Sequence, residues 1–379
     1  MAPPEKRWGT MEVIVTDGHT RMALAAVREL GEAGHRVTVL CQEGKSPIGH
    51  ASRYAAVKRF LPGDARQWAS WFSANIAGNP VLLPVGAAMT ALCASGALEG
   101  VCQTAVPSLE ALENANDKRH TAAVAQSLGI KTPRRLDPAA APAQYPVVLK
   151  YWFGEGLGLP AAERYCIARD EREFRAAHSR MDALQSPILV EEYAQGDGFG
   201  VSAVLNRDSR PAALFCHRRI RSYPVSGGPA TLAESVWPAK MVQAALALFS
   251  GLKLRGFAMA EFRGTEDDFG FLEINPRVWG TFPFGRLCGV PLAERYARLA
   301  CGEALPEAAD CRYPLGRRMQ YLAGDVLGAG SLLKKGKLSA PAAVLSSLLS
   351  PRSRGGVFDS GDLEGSMAYV RSLARRMSS

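Results

Sequence analysis

Apolar runs and helical stripes alternate through the first hundred residues. Residues 11–16 (MEVIVT) read as a buried strand, 17–20 as a turn, and 21–34 as an amphipathic helix closed by glycine. Residues 36–41 (RVTVLC) repeat the buried-strand pattern, so the chain opens as a βαβ unit with a parallel sheet. Short strands follow at 81–85 and 103–106, and Pro107 closes this α/β unit. Residues 108–129 read as helical, with Asp117 and Lys118 opening the second half, and the Pro- and Ala-rich stretch 131–142 reads as a seam.

From Tyr145 the pattern changes. Strands are expected at 147–150, 164–168, 188–192, 201–205, 212–216, 257–262 and 270–275, with helices at 171–178 and 239–249. This alternation is α+β in character. The expected domains are an N-terminal βαβ domain at 11–106, an α+β domain at 107–305 with a subdomain at about 145–192, and an irregular C-terminal appendage at 306–379.

Composition narrows the class. A chain of 379 residues, 47% hydrophobic and 21% charged, is globular and long enough for two or three subdomains. The net charge of +9 is uneven: from Ser331 onward eight basic residues face three acids, Asp359, Asp362 and Glu364. Such a tail can meet nucleic acid, anionic lipid or an acidic partner, but a solvated helical surface is the simpler reading, and no nucleic-acid role is assigned. The eight cysteines form no CxxC pair or zinc spacing, and the six histidines are scattered. Residues 1–10 carry no apolar stretch of a signal peptide. The apolar run 340–349 is about half of what a membrane span requires, so a cytoplasmic protein is expected. The first turn reads DGHTR rather than GxGxxG, which argues against a dinucleotide site.

The strongest chemical signal is the stretch 261–277, EFRGTEDDFGFLEINPR. Two β runs flank a polar turn, and centring that turn on Asp267 puts Glu261 opposite Glu273, with Asn275 on the same face. Paired carboxylates repel unless a cation neutralises them. Three oxygen donors with no histidine or thiolate suit Mg²⁺, or Mn²⁺ in its place. Glu266, Asp267 and Asp268 read as solvated turn acids. A second signal is Lys150 followed by Gly154, Gly156 and Gly158, where a lysine and backbone amides can hold phosphate; a flexible hairpin tip reads equally well. A third is ILVEEYAQGDG, a strand that breaks at Glu191, Glu192, Tyr193 and Ala194, with Asp197 close behind.

In this order and spacing, these elements resemble the ATP-grasp superfamily over residues 105–302, and the preceding βαβ unit resembles the domain that usually comes before it. The resemblance implies ATP held between two α+β subdomains, with Lys118 and Lys150 at its phosphates and Gly154, Gly156 and Gly158 in a mobile lid. It implies Glu191 to Ala194 at the adenine and Asp197 at the ribose. Glu261, Glu273 and Asn275 match the superfamily's metal ligands, and Arg277 its charge-stabilising arginine. The stretch from His217 to Pro229, with Arg218, Arg219, Arg221, Gly227 and Gly228, resembles a loop of bacterial carboxylate–amine ligases, the D-aspartate ligase and carbamoyl-phosphate-synthase-like groups. It implies an anion grip for a substrate carboxylate or acyl phosphate.

The expected reaction is ATP- and Mg²⁺-dependent joining of a small-molecule carboxylate to an amine through an acyl phosphate. Bicarbonate activation to carboxyphosphate is the alternative within the same chemistry, and a nucleotide-binding regulatory module without turnover is the alternative outside it. Neither substrate identity nor oligomeric state is legible in the residues.

Overall fold

The computed structural model describes residues 9–157, 159, 163–225 and 228–378. Gly158 and Gly227 fall outside that set. The chain divides into two compact units, one made of 1–105, 291–305 and 357–379, the other of 106–290 and 306–356.

The first unit holds a parallel sheet of β1 (Glu12–Val15), β2 (Arg36–Gln42), β3 (Ala55–Leu61) and β4 (Val81–Leu83) in the order β3-β2-β1-β4. The helix Arg21–Glu32 follows β1; Thr20 caps it by accepting the Ala23 N–H, and its apolar stripe is buried. β3 escapes the sequence pattern because most of its residues are exposed on this edge strand, so no buried run announces it. Gln103 makes only an isolated bridge to Val81 in place of the strand expected there. The later helices Leu292–Ala300 and Leu363–Ser378 complete this unit. Tyr296 donates its hydroxyl to the Leu82 carbonyl, and the buried Arg28 guanidinium binds the Asp362 carboxylate at 2.8 Å.

The second unit contains two sheets. The smaller is β5 (Arg135–Leu136), β6 (Val147–Tyr151), β7 (Tyr165–Ala168) and β8 (Ile188–Glu192), antiparallel in the order β5-β8-β6-β7. The helix Glu171–Asp182 packs Phe174, Ala177 and Met181 into the core beneath it. The larger sheet runs β13-β12-β9-β10-β11-β14-β15, formed by β9 (Asp197–Leu205), β10 (Pro211–Ser222), β11 (Ala230–Ser235), β12 (Gly256–Gly264), β13 (Phe269–Asn275), β14 (Arg318–Gln320) and β15 (Ser353–Gly355). Its core face carries Phe199, Val201, Ala203, Leu214, Cys216, Ala258, Ala260 and Phe262 under the helix Ala239–Gly251. The alternate residues of these strands are thereby turned to the other face, which carries the site.

Three expectations need correction. The helix at 108–129 is two helices, Leu109–Asn116 and Lys118–Ser127. Asp117 ends the first and caps the second by accepting the Arg119 and His120 N–H groups. The segment from His217 to Ser222 is not a loop but the second half of β10, bulged between Arg219 and Arg221. Nor is 306–379 an irregular appendage. It contains the helices Leu322–Leu333, Ala340–Leu349 and Leu363–Ser378, with 306–356 in the second unit and 357–379 in the first, while 291–305 leaves the expected central domain for the first unit. The helices at 322–333 and 340–349 have weak periodicity because leucines occupy exposed positions on both. Among the described residues, no helix is long and apolar enough to cross a membrane.

Candidate active site

The larger sheet's open face forms one wall of a cavity of about 680 Å³ within the second unit. β12 and β13 pair with Glu261 directly opposite Glu273 and Met259 opposite Asn275, as expected, but through a bulge between Glu261 and Phe262, since nearer the turn Phe262 pairs with Phe271 and Gly264 with Phe269. Alternation along β12 sends Met259, Glu261 and Arg263 to the cavity while Ala260 is buried in the core and Phe262 belongs to both core and cavity lining.

Cations surround the two carboxylates. The Arg219 Nη2 lies 2.5 Å from Glu261 Oε2, and Lys118 Nζ lies 3.4 Å from Glu273 Oε2. The Asn275 amide donates to Glu261 Oε1 at 3.2 Å, and its own oxygen accepts from Arg277 Nη2 at 3.3 Å. Burial pushes the Glu261 carboxyl up; Arg219 opposes that shift, but with Glu273 adding to it the pKa stays raised. At Glu273 burial acts in the same direction, yet Lys118, Lys150 and Arg219 outweigh it and hold the group below its usual range.

Lys118 stands at the first position of its helix, where the helix dipole disfavours a positive charge. Its pairing with Glu273 supplies the compensating attraction. Lys150, on β6, places Nζ 2.7 Å from the buried Glu191 on β8. Arg134 pairs with the exposed end of Glu192 at 2.5 Å. Tyr193 receives a hydrogen bond from Arg263 Nη2 at 2.5 Å, and the same guanidinium lies over its ring. Lys150, Glu191, Glu192, Tyr193, Ala194 and Asp197 all line the cavity, as do Lys118 and Arg277. Gly154 and Gly156 sit in a short 3₁₀ turn, Gly154–Leu157.

The basic stretch on β10 divides. Arg219 faces the cavity and reaches Glu261. Arg221 also lines it, but its guanidinium is held by the buried Asp325 at 2.5 and 2.9 Å, and Asp325 accepts further bonds from Thr231 and Gln320. Arg218 is outside the wall and binds Glu234 at 2.7 Å, a carboxylate it shares with Arg318. His217 is also absent from the wall. It is wholly buried, with Nε2 3.3 Å from the Thr281 hydroxyl, and burial, together with the charge of Arg219, pushes its pKa down to about 3. Its ring is therefore neutral at neutral pH. Gly228 lines the cavity, and a Cβ there would lie 2.4 Å from the Tyr223 carbonyl oxygen.

Several wall residues had no sequence signal of their own. Arg263 could have been found from its alternation with Glu261 along β12. Tyr165, pushed up to about 12 by burial, presents a neutral phenol to the cavity from β7. Asp325 and the far wall of Ala329, Leu332, Ala340 and Val344 come from helices distant in the chain, which local pattern does not connect to the site.

Among the described residues no three or more His, Cys, Asp and Glu side chains gather as a metal site. The donor set is two register-opposed carboxylates and one amide oxygen, which fits a hard divalent ion that keeps its remaining positions for water and phosphate. Arg219 and Lys118 contact the same carboxylates.

No protein-family model matches the sequence. Among solved structures the chain is similar to the biotin carboxylase–β-γ-ATP complex from Campylobacter jejuni, with a TM-score of 0.61 at 17% identity over 82% of this chain and 74% of that one. It is similar to the biotin carboxylase domain of the Hydrogenobacter thermophilus 2-oxoglutarate carboxylase, in complex with MgADP, ADP and bicarbonate, with a TM-score of 0.63 at 15% identity over 82% and 74%. It is also similar to the L-amino acid ligase from Bacillus licheniformis, with a TM-score of 0.60 at 15% identity over 83% and 80%. What is shared at these identities is a mixed α/β fold with several sheets.

Proposed function

We propose that this chain, which shares a fold with a biotin carboxylase and an L-amino acid ligase, is an ATP-grasp enzyme, an ATP- and Mg²⁺-dependent carboxylate–amine ligase that works through an acyl phosphate and releases ADP and phosphate. The observation that carries this reading is the register-opposed pair Glu261 and Glu273, facing a cavity and ringed by Lys118, Lys150, Arg219 and Arg277. Like charges side by side on a sheet cost stability, and such an arrangement suits a site that handles both a cation and phosphate.

Glu261, Glu273 and Asn275 would hold Mg²⁺, which when bound neutralises phosphate charge and keeps the triphosphate in line for transfer. Lys118 and Lys150 bind the phosphates from the rim of the cavity. Glu191 to Ala194 meet the adenine, Asp197 the ribose, and the segment around Gly154, within a lid subdomain at about 145–192, covers the phosphates and excludes water. Arg277 and Lys150 stabilise the charge spread over the transferring group. The substrate carboxylate attacks the γ-phosphorus and ADP leaves; the amine nitrogen then attacks the acyl carbon, phosphate leaves, and the amine proton passes to solvent. Arg219, which lines the cavity beside Glu261, grips the substrate carboxylate or its acyl phosphate. The reaction is placed in the cytoplasm, on small-molecule substrates.

Bicarbonate is the second substrate reading, favoured by the likeness to biotin carboxylases. Phosphate release from ATP and Mg²⁺, measured across carboxylate–amine pairs with products read by mass spectrometry, tests both. An amide product supports the ligase, and bicarbonate-dependent release without an amine supports the alternative. ATP binding with no turnover would leave a nucleotide-binding module.

A further inference from the structure

The helices Leu322–Leu333 and Ala340–Leu349 carry a surface that the proposed chemistry does not use. The second helix turns Ala340, Val344 and Ser347 inward. Leu345, Leu348 and Leu349, at the spacing of one helical stripe, are each more than half exposed, and Leu338 in the preceding turn is 82% exposed. On the first helix Leu322, Val326, Leu327 and Leu333 are exposed as well. Single exposed leucines are ordinary, but a concentration of this size in one hairpin marks a surface that meets something apolar.

Charge identifies the partner. Between Asp325 and Asp359 the sequence has no acidic residue, while Lys334, Lys335 and Lys337 fill the turn between the helices and Arg352 and Arg354 follow the second. All five are exposed. Asp325 is buried against Arg221 and adds nothing to the surface charge. Nucleic acid would match the basic residues but not the leucine stripe. A surface that is apolar inside and anionic at its rim matches both.

We propose that this hairpin docks the protein on an anionic lipid bilayer. Leu338, Leu345, Leu348 and Leu349 enter the boundary between headgroups and acyl chains, and the basic turn pairs with lipid phosphates. The helices have 12 and 10 residues, too short to span the roughly 20-residue thickness of a bilayer, so the binding is peripheral. The second helix also lines the cavity through Ala340, Ala343 and Val344. Docking therefore brings the cavity to within about one helix diameter, ~10 Å, of the lipid.

Flotation of the full chain with vesicles tests this, using phosphatidylcholine alone and an equal mixture of phosphatidylcholine and phosphatidylglycerol. The protein is expected to float with the anionic vesicles, less so as salt rises, and to stay behind with the neutral ones. The pair Leu345→Glu and Leu349→Glu, and separately the pair Lys334→Glu and Lys335→Glu, should each lower the partition at least about tenfold. Circular dichroism and ATP binding should be unchanged in both, which separates this surface from the nucleotide site. Failure to float with anionic vesicles overturns the proposal. So does equal flotation with neutral vesicles, or binding to duplex DNA that survives the leucine changes in a protein that does not float.

Discussion

Arg219 on β10 reaches across the full width of β9 to place its Nη2 2.5 Å from Glu261 on β12. That reach depends on what lies beneath it. Gly198 pairs with both Arg219 and Arg263, and Gly200 pairs with both His217 and Glu261, so β9 presents two residues without side chains where the Arg219 stem and the His217 imidazole lie over it. Arg219 thus belongs to the carboxylate cluster as well as to any substrate grip.

Arg219→Ala is expected to lower stability by about 1.5–3 kcal/mol without Mg²⁺, since a charge-assisted bond is lost and Glu261 and Glu273 face each other with less compensation. Mg²⁺ should then raise the melting temperature more in the variant than in the wild type, because the ion replaces the missing charge. Thermal melts with and without Mg²⁺ measure this; an equal Mg²⁺ shift in both proteins would remove Glu261 from the ion site. Turnover should fall roughly ten- to a hundredfold, and Arg219→Lys should restore only part of it, because lysine lacks the two-pronged contact.

Glu273→Gln is expected to abolish ADP formation with the fold retained, as judged by circular dichroism. Near-normal turnover at ordinary Mg²⁺ would sink the metal assignment. Asp267 and Asp268, by contrast, make only exposed pairs with Lys240 and Lys131 at the tip of the hairpin. Alanine at either, or at Glu266, should leave turnover within about twofold.

The two β9 glycines should differ. A Cβ on Gly200 would lie 2.3 Å from the ring of the buried His217, whereas a Cβ on Gly198 would lie 3.3 Å from the flexible Arg219 side chain. Gly200→Ala is expected to cost about 1–3 kcal/mol and to displace His217, while Gly198→Ala should cost less than half as much. Urea unfolding of the two variants gives the comparison, and equal costs would mean the imidazole can move aside freely.

Acid stability should depend on Asp362. Burial alone would raise its carboxyl pKa, but the Arg28 guanidinium, the Arg53 N–H and the Ser52 hydroxyl hold it below the usual range. A depressed folded pKa means the stabilisation is complete above the unfolded value of about 3.9 and is lost as pH falls through the folded one. Asp362→Asn should cost about 3 kcal/mol at pH 7 and flatten the loss of stability below about pH 4. Melting temperatures of both proteins from pH 7 to pH 3 check the sign; parallel curves would contradict it.

The sequence by itself determined those parts of the site that lie within one hairpin or one strand. Glu261, Glu273 and Asn275 could be set on one face because the two strands are joined by a short turn and side chains alternate with a period of two, although the bulge between Glu261 and Phe262 that completes their pairing has no signal in the residues. Lys150 and the strand ending at Glu192 were legible for the same reason. Tertiary structure decided which charges meet. Arg218, Arg219 and Arg221 look alike in the chain, yet Arg218 goes to Glu234, Arg219 to Glu261 and Arg221 to Asp325. Strand alternation and a bulge separate their directions, and their partners lie on strands and a helix up to 104 residues away. The carboxy-terminal helices were hidden for a related reason. Their leucines are exposed rather than buried, so a rule that equates apolar with inside gives no period there, and only the folded chain shows which faces were left out.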